Sequence, residues 1–228
     1  MSIQKIENLS IDCVIFGFEG EDLKVLLIER NRDPQKGMMA LPGGFIAMDE
    51  ELDDASQRIL EELTGVQKLY MDQVKTFGAV NRYPLRRVLT IVYYALIKID
   101  DYKLAPSPDG EAKEAKWISV NDIPDLPFDH RQIFNEAFDK LKARVRVEPL
   151  GFNLLPKKFS ITELQKLYEA ILETEFDKRN FRKKLAKMNL LIDLNEKQKN
   201  VSHRAAKLYK FDSSVYEKLK KKGFNFDL

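Results

Sequence analysis

The sequence predicts an α+β protein built from two modules, because strand-like and helical patterns are mixed without regular βαβ repetition and the charge changes sign along the chain. Residues 1–148 hold 20 Lys and Arg against 26 Asp and Glu, a net charge of −6. Residues 149–228 hold 18 against 10, a net charge of +8. We therefore predict domains at 1–148 and 149–228, with the boundary in a segment, 147–156, that carries two prolines and a glycine.

Composition excludes several classes of protein. An apolar fraction of 44% is typical of a folded globular chain. The single cysteine, Cys13, excludes an internal disulfide framework and a Cys-rich zinc site. The longest apolar run, 88–97, is about half of a membrane span, and residues 1–7 lack the pattern of a signal peptide. We expect a cytoplasmic protein with no membrane partner.

The acidic module begins with a predicted hairpin. Runs of apolar and β-branched residues at 11–16 and 23–28 flank a glycine-containing turn. Further apolar, β-branched runs occur along the rest of the module, and two other segments have apolar residues at helical spacing. Further strands are predicted at 74–80, 88–99 and 115–120, and helices at 52–63 and 133–141.

The basic module has the pattern of two capped helices followed by a ribbon. Ser160 and Glu163 fit a capping box, with Phe159 and Leu164 spaced as a hydrophobic staple. Asp177 is a plausible cap for a second helix. Short strands are predicted at 190–194 and 207–211, with a polar tip at 195–206. Helix, helix and ribbon are the outline of a winged helix-turn-helix.

The second helix of this module carries its charges opposite its apolar side. Arginine can read guanine edges, asparagine can read adenine, and lysine more often contacts phosphate. A solvated basic helix would explain the charges alone, and an RNA-binding module would need an aromatic stacking strip that the sequence lacks. The predicted DNA contacts are Lys157, Lys158, Lys178, Arg179, Asn180, Arg182, Lys183, Lys187, Arg204 and Lys207.

A 23-residue motif in the acidic module resembles the Nudix box. Gly44 is followed after five residues by Glu50, and after seven more by the run RILEELTGV at 58–66. The sequence LPGG at 41–44 matches the lead-in that is usual in the family. The resemblance implies a mixed-sheet α/β/α domain with a helix over the second half of the motif.

The motif departs from the family where the metal would bind. Nudix hydrolases hold Mg²⁺ with glutamates that correspond to positions 59, 62 and 63, which are Ile59, Glu62 and Leu63 here. Mg²⁺ requires oxygen ligands, and neither Ile nor Leu supplies one. We therefore predict no metal, no cofactor and no enzymatic activity. The alternative is an active Nudix pyrophosphatase that acts on ADP-ribose or a related nucleoside diphosphate.

A pocket without catalysis can still bind a ligand. Polar and aromatic residues at predicted strand ends and in the loop near 81–87 could line such a cleft. The predicted ligand residues are Arg30, Glu50, Phe77, Asn81, Arg82 and Arg87. The segment 129–131, Asp-His-Arg, lacks a nearby nucleophile and is interpreted mainly as the start of a helix.

Over nearly its whole length the chain is similar to the Nudix-related transcriptional regulators. The similarity rests on the Nudix motif, on FDHR at 128–131 and on DKRNFRKK at 177–184. It implies a homodimer that binds operator DNA and senses either ADP-ribose, to control NAD metabolism, or a pentose such as arabinose, to control sugar use. The lost metal carboxylates favour an uncharged sugar, because a diphosphate would require its metal.

Overall fold

A computed structural model of the chain describes residues 4–108, 110–198, 205–224 and 226, with the side chain of residue 153 left out. Two compact units make up the chain. The first comprises Met1–Glu19 and Leu23–Lys140, and the second comprises Gly20–Asp22 and Leu141–Leu228.

The first unit is organised around a mixed sheet. Its central strand is buried at every position from 10 to 18, as expected where both faces of a sheet are covered. The strands are β1 (Lys5–Glu19), β2 (Asp22–Arg30), β3 (Met39–Ala40), β4 (Gly43–Ala47), β5 (Asp72–Phe77), β6 (Leu89–Lys98) and β7 (Ala112–Ser119). Their order in the sheet is β3-β2-β1-β6-β5, with β4 paired to β1 and β7 paired to β2. β1 and β6 are parallel, from Leu9 opposite Leu89 to Phe18 opposite Lys98.

Helices α1 (Leu52–Thr64) and α2 (His130–Val147) cover opposite faces of this sheet. Ile59 of α1 belongs to one buried cluster with Ile11 and Ile15 of β1. Phe134 of α2 lies 5.8 Å from the ring of Phe16, also on β1. Because successive side chains of a strand point to opposite faces, the two helices lie on either side of the sheet. The predicted α/β/α domain is therefore confirmed.

The end of α1 is fixed by a glycine. Gly65 has φ 81°, and its N–H donates to the carbonyl of Glu61 at 2.8 Å. A Cβ at this position would lie 2.7 Å from the backbone nitrogen of Ala105. Both the left-handed backbone and the close approach of a neighbouring loop therefore require glycine here.

The second unit has the predicted helix, helix and ribbon. Its elements are a short 3-10 turn (Leu150–Asn153), α3 (Ile161–Leu172), α4 (Lys178–Met188), β8 (Leu191–Lys197), β9 (Lys207–Phe211) and α5 (Ser213–Lys220). The capping box is present, with the Ser160 hydroxyl accepting from the Glu163 N–H at 3.2 Å and the Glu163 carboxylate accepting from the Ser160 N–H at 2.6 Å. Asp177 caps α4 by accepting from the Asn180 N–H at 2.9 Å. The sequence reasoning did not predict α5.

No helix in the described ranges combines the length and apolar character that crossing a membrane requires.

Candidate effector pocket and nucleic-acid interface

A cavity of about 240 Å³ opens in the first unit beside β1, β2 and β4. Its lining combines cationic, acidic and aromatic side chains, an uncommon mixture for a simple packing defect. The charged and aromatic side chains that line it are Arg30, Arg32, Arg82, Asp12, Asp33, Glu111, Phe45, Tyr83 and Phe128, together with His130.

Arg82 forms a buried ion-pair cluster in the wall of the cavity. Its Nε and Nη2 each donate to one oxygen of Asp129 at 2.9 Å, and its Nη2 also donates to Asp12 Oδ2 at 3.1 Å. The side chains of Arg82, Asp12 and Asp129 are only 5%, 7% and 12% exposed. The guanidinium therefore connects the loop after β5 to β1 and to the start of α2, and it is held in one orientation.

His130 is the buried neighbour of this cluster. Burial lowers its pKa, and the negative charges of Asp12 and Asp129 offset only part of that effect. Its Nδ1 accepts from the backbone N–H of Leu41 at 3.1 Å, so this nitrogen carries no proton. His130 is therefore a neutral imidazole that holds the start of the LPGG segment in place.

Arg30 is the cavity cation without a carboxylate partner among the described residues. Its Nε donates to the carbonyl of Pro34 at 3.1 Å, and its guanidinium lies 5.3 Å from the ring centroid of Phe128. By contrast, Arg32 pairs with Glu111 at 3.2 Å. A guanidinium held beside an aromatic ring can bind an anionic group and a planar group side by side.

Of the six predicted ligand residues, Arg30 and Arg82 line the cavity, and four lie outside its lining. Glu50 is held by Arg58 through two hydrogen bonds of 2.7 and 2.8 Å, and the contact with Arg58 lowers the pKa of its carboxyl. Phe77 is buried at the end of β5, whereas Asn81 and Arg87 are exposed. Glu50 therefore stabilises the Nudix motif by fixing Arg58, which also donates to the Phe45 carbonyl at 3.2 Å.

Several residues that line the cavity were not among the predicted ligand residues. Asp12 carried a usable signal, since a carboxylate inside an otherwise apolar strand must find a buried partner. Phe128 carried none, although it has a φ of 56° that a bulky residue rarely adopts. The segment 129–131 is predicted to start a helix, and α2 does begin at His130. The carboxylate of Asp129 nevertheless binds Arg82, a contact that no local pattern predicts.

The metal positions of the Nudix motif have a different environment in α1. Ile59 and Leu63 are 2% and 5% exposed and belong to the main core cluster. The side chain of Glu62 is 47% exposed, and its Oε2 lies 3.3 Å from Arg58 Nη1. Among the residues that the structure describes, no group of three or more His, Cys, Asp or Glu side chains could hold a metal ion.

Helix α4 presents the cations predicted to contact DNA. Phe181 and Leu185 are buried, whereas the six predicted residues on this helix are all exposed. None of those six side chains forms an ion pair within the described parts of the chain. They are Lys178, Arg179, Asn180, Arg182, Lys183 and Lys187.

The predicted DNA contacts outside α4 differ in that two of them form ion pairs. Lys158 pairs with Glu196 at 2.7 Å and Lys207 pairs with Asp193 at 3.0 Å, so two ribbon carboxylates partly neutralise them. Lys157 is exposed. Arg204 lies outside the described residues. Among the predicted DNA contacts, the cations without an ion pair in the described structure therefore lie mainly on α4.

Each of the two units resembles a known domain. The NUDIX domain model matches residues 7–137, and the model of the NrtR DNA-binding winged helix domain matches residues 151–211. The chain is 32% identical over 222 residues to a protein of Acinetobacter baylyi named ADPR responsive transcriptional repressor NtrR, covering 96% of this chain and 85% of that protein. It is also 33% identical over 120 residues to an ADP-ribose pyrophosphatase of Methanocaldococcus jannaschii, covering 53% of this chain and 69% of that enzyme.

Solved structures of Shewanella oneidensis NrtR resemble both the whole chain and its first unit. The crystal structure with a 27mer DNA has a TM-score of 0.73 and 28% identity, and covers 96% of this chain and 97% of that one. The structure of the NUDIX domain with ADP ribose has a TM-score of 0.54 and 34% identity, and covers 60% of this chain and 90% of that one. With its Nudix domain and NrtR-type winged helix in the same order, the chain belongs to the NrtR family of Nudix-related regulators.

Proposed function

We propose that this protein is a transcriptional repressor that binds operator DNA as a homodimer and changes its DNA affinity in response to ADP-ribose. The observation that carries the proposal is α4, a capped helix whose exposed side presents arginine and lysine side chains without acidic partners in the described structure. A helix of this kind, set between α3 and a ribbon, is suited to the major groove. The regulator of A. baylyi and the DNA complex of S. oneidensis NrtR support the assignment.

The cavity favours ADP-ribose over a pentose. Arg30 offers a cation that no described carboxylate neutralises, and Phe128 and Tyr83 offer rings 5.3 Å apart. A diphosphate and an adenine would use these groups, whereas arabinose carries neither an anion nor an aromatic ring. The argument from lost carboxylates, which favoured an uncharged sugar, is outweighed because an arginine can take over the role of the metal's charge. The ADP ribose complex of a relative points the same way, and none of the relatives described above supports the arabinose branch.

We further propose that the Nudix domain does not hydrolyse its ligand. Two of the three metal positions are apolar and buried in the core, so a Mg²⁺ ion would have Glu62 alone to neutralise its charge. The related pyrophosphatase makes hydrolysis the competing function. Incubation of the protein with ADP-ribose and Mg²⁺ should release no AMP or ribose phosphate. Release that Glu62→Gln abolishes would refute the non-enzymatic assignment.

Residues 1–148 are proposed as the sensor and residues 149–228 as the DNA reader, and one titration can test both roles. Duplexes selected from a random pool by the purified protein would be labelled, and their affinity measured with and without ADP-ribose. We expect ADP-ribose to change the dissociation constant at least about fivefold and arabinose to leave it unchanged, since a useful coupling is on the order of 1–3 kcal/mol. An effect of arabinose without one of ADP-ribose would reverse the choice of effector.

Variants separate the two roles. Arg179→Ala with Lys183→Ala should abolish selective binding to the duplex without affecting the binding of ADP-ribose. Arg30→Gln should weaken ADP-ribose binding, while Arg146→Gln, an equal change of charge at an exposed residue of α2 outside the cavity lining, serves as its matched control. Sedimentation analysis should report a dimer, and the selected duplexes should contain inverted repeats with half-sites about one or two DNA turns apart.

A further inference from the structure

Helix α5 and the turn after it carry a second group of lysines in the basic unit. These are Lys218, Lys220, Lys221 and Lys222, four within five positions, and all four are exposed. None forms an ion pair with any residue that the structure describes, and Glu217 is the one carboxylate within α5 itself. The match to the winged helix domain model ends at residue 211, so α5 lies outside the matched residues.

The lysine group belongs to an ordered element that is attached at both ends. The N–H of Asp212 donates to the carbonyl of Leu190 at 2.9 Å, which fixes the start of α5 beside the end of α4. The Asp212 carboxylate accepts from the Val215 N–H at 3.0 Å and so caps the helix. After the helix, Phe226 is 1% exposed and its ring lies 5.9 Å from that of Tyr168.

Lysines near a helix C-terminus can also be explained without a ligand, because they compensate the helix dipole. That effect falls off within the last turn of the helix, where Lys218 and Lys220 lie, and does not extend to Lys221 and Lys222 beyond it. Here four cations occur together, and the turn is already closed by backbone hydrogen bonds from Phe224 and Lys222 to the carbonyl of Leu219, at 3.0 and 2.9 Å. Unpaired positive charges held together on α5 and the turn after it could bind a polyanion.

We propose that the lysines of α5 form a second surface that contacts the phosphate backbone of the same duplex that α4 reads. This inference rests on the proposed DNA-binding function. α5 has eight residues, about 12 Å of helix, and it starts next to Leu190, two residues after α4 ends. Because the start of α5 is held beside Leu190, its lysines lie closer to the end of α4 than the roughly 34 Å that one duplex turn spans along its axis. Their chemistry provides affinity without sequence preference.

The test is a triple variant, Lys218→Gln, Lys221→Gln and Lys222→Gln. Lys220 is kept, because its ammonium lies 5.9 Å from the ring centroid of Tyr216 and could contribute to folding. The control variant removes three exposed lysines of the other unit, Lys5, Lys68 and Lys103, and so changes the net charge equally. Binding is measured for a selected duplex and for an unrelated duplex of equal length, over a range of KCl concentrations.

We expect the triple variant to lose affinity for both duplexes by the same factor and to reduce the slope of log affinity against log salt by about 2 to 3. Each lost phosphate contact should lower the affinity for DNA about fivefold at 0.15 M salt. The control variant should match the wild type. A triple Lys→Arg variant at the three positions should retain both the affinity and the slope, which separates charge from a fault in folding.

Two results would overturn the inference. The first is an unchanged affinity and slope in the triple Gln variant; if that variant also lost binding to anionic lipid vesicles, the lysines would be assigned to a membrane surface. The second is a loss confined to the selected duplex, which would indicate base reading instead. If the wild type selected no duplex, the proposed function itself would be contradicted. If the wild type selected a duplex but the triple Gln variant bound it with unchanged affinity, only this inference would be contradicted.

Discussion

The buried cluster around Arg82 allows a quantitative prediction. Arg82→Met would keep the length of the side chain but leave Asp12 and Asp129 together without their cation. Both carboxylates are nearly inaccessible to water, at 7% and 12% exposure. Removal of one partner from a buried ion pair costs about 3–5 kcal/mol, because the remaining charge stays desolvated. We expect the free energy of unfolding to fall by that amount, a large part of the 5–15 kcal/mol typical of a domain.

Trp117 provides a specific assay for this change. It is the one tryptophan of the chain and lies on β7, in the same unit as the cluster, so its fluorescence follows urea unfolding of that unit. Arg87→Met is the matched control, since Arg87 is exposed and should change stability by less than about 0.5 kcal/mol. A loss of less than about 1 kcal/mol in Arg82→Met would refute the argument that the guanidinium compensates two buried charges.

Three further predictions concern the pocket and the caps. Because burial lowers the pKa of His130 below 6.5, the unfolded state takes up its proton first as the pH falls, and the free energy of unfolding should decrease below about pH 6.5 by up to about 1.4 kcal/mol per pH unit. His130→Asn should remove this dependence in urea titrations between pH 7.5 and 5; an identical pH profile in the variant would contradict the assignment. Glu50→Gln should cost about 1.5–3 kcal/mol by weakening the hydrogen bonds to Arg58, measured by Trp117 fluorescence, while ADP-ribose affinity stays unchanged in calorimetry. A tenfold loss of affinity would return Glu50 to the ligand site. Ser160→Ala should cost about 1 kcal/mol in the second unit, followed by circular dichroism, and an unchanged transition would argue against the capping box.

The sequence predicts a structural feature correctly where that feature depends on residues close together in the chain. The capping box at Ser160 and the cap at Asp177 each depend on residues within five positions of one another, and both are present. The pairing of β1 with β2 likewise follows from two apolar, β-branched runs on either side of a turn. The sequence did not predict α5, since an eight-residue helix offers few apolar positions and lysines dominate its surface.

The candidate site was only partly predictable. Arg30 and Arg82 were expected near a ligand, and both line the cavity. Phe77, Asn81 and Arg87 lie outside its lining, and Glu50 is occupied by Arg58. Strand ends and loops indicate which segments meet at one edge of a sheet. They do not indicate which side chain of a segment turns inward, because that depends on the packing of partners distant in sequence.

The sequence by itself determined the two modules, the opposite signs of their charge, the Nudix motif with its apolar metal positions and the cationic face of α4. Each depends on residue identity and on spacing within one element. The tertiary structure alone decided that Asp12, Arg82 and Asp129 form one buried cluster, although 47 to 70 positions separate Arg82 from its two partners. It also decided that Arg30 has no described carboxylate partner, whereas Lys158 and Lys207 do. The pairing of charges depends on which chain segments fold together, and that is why it could not be read from either segment alone.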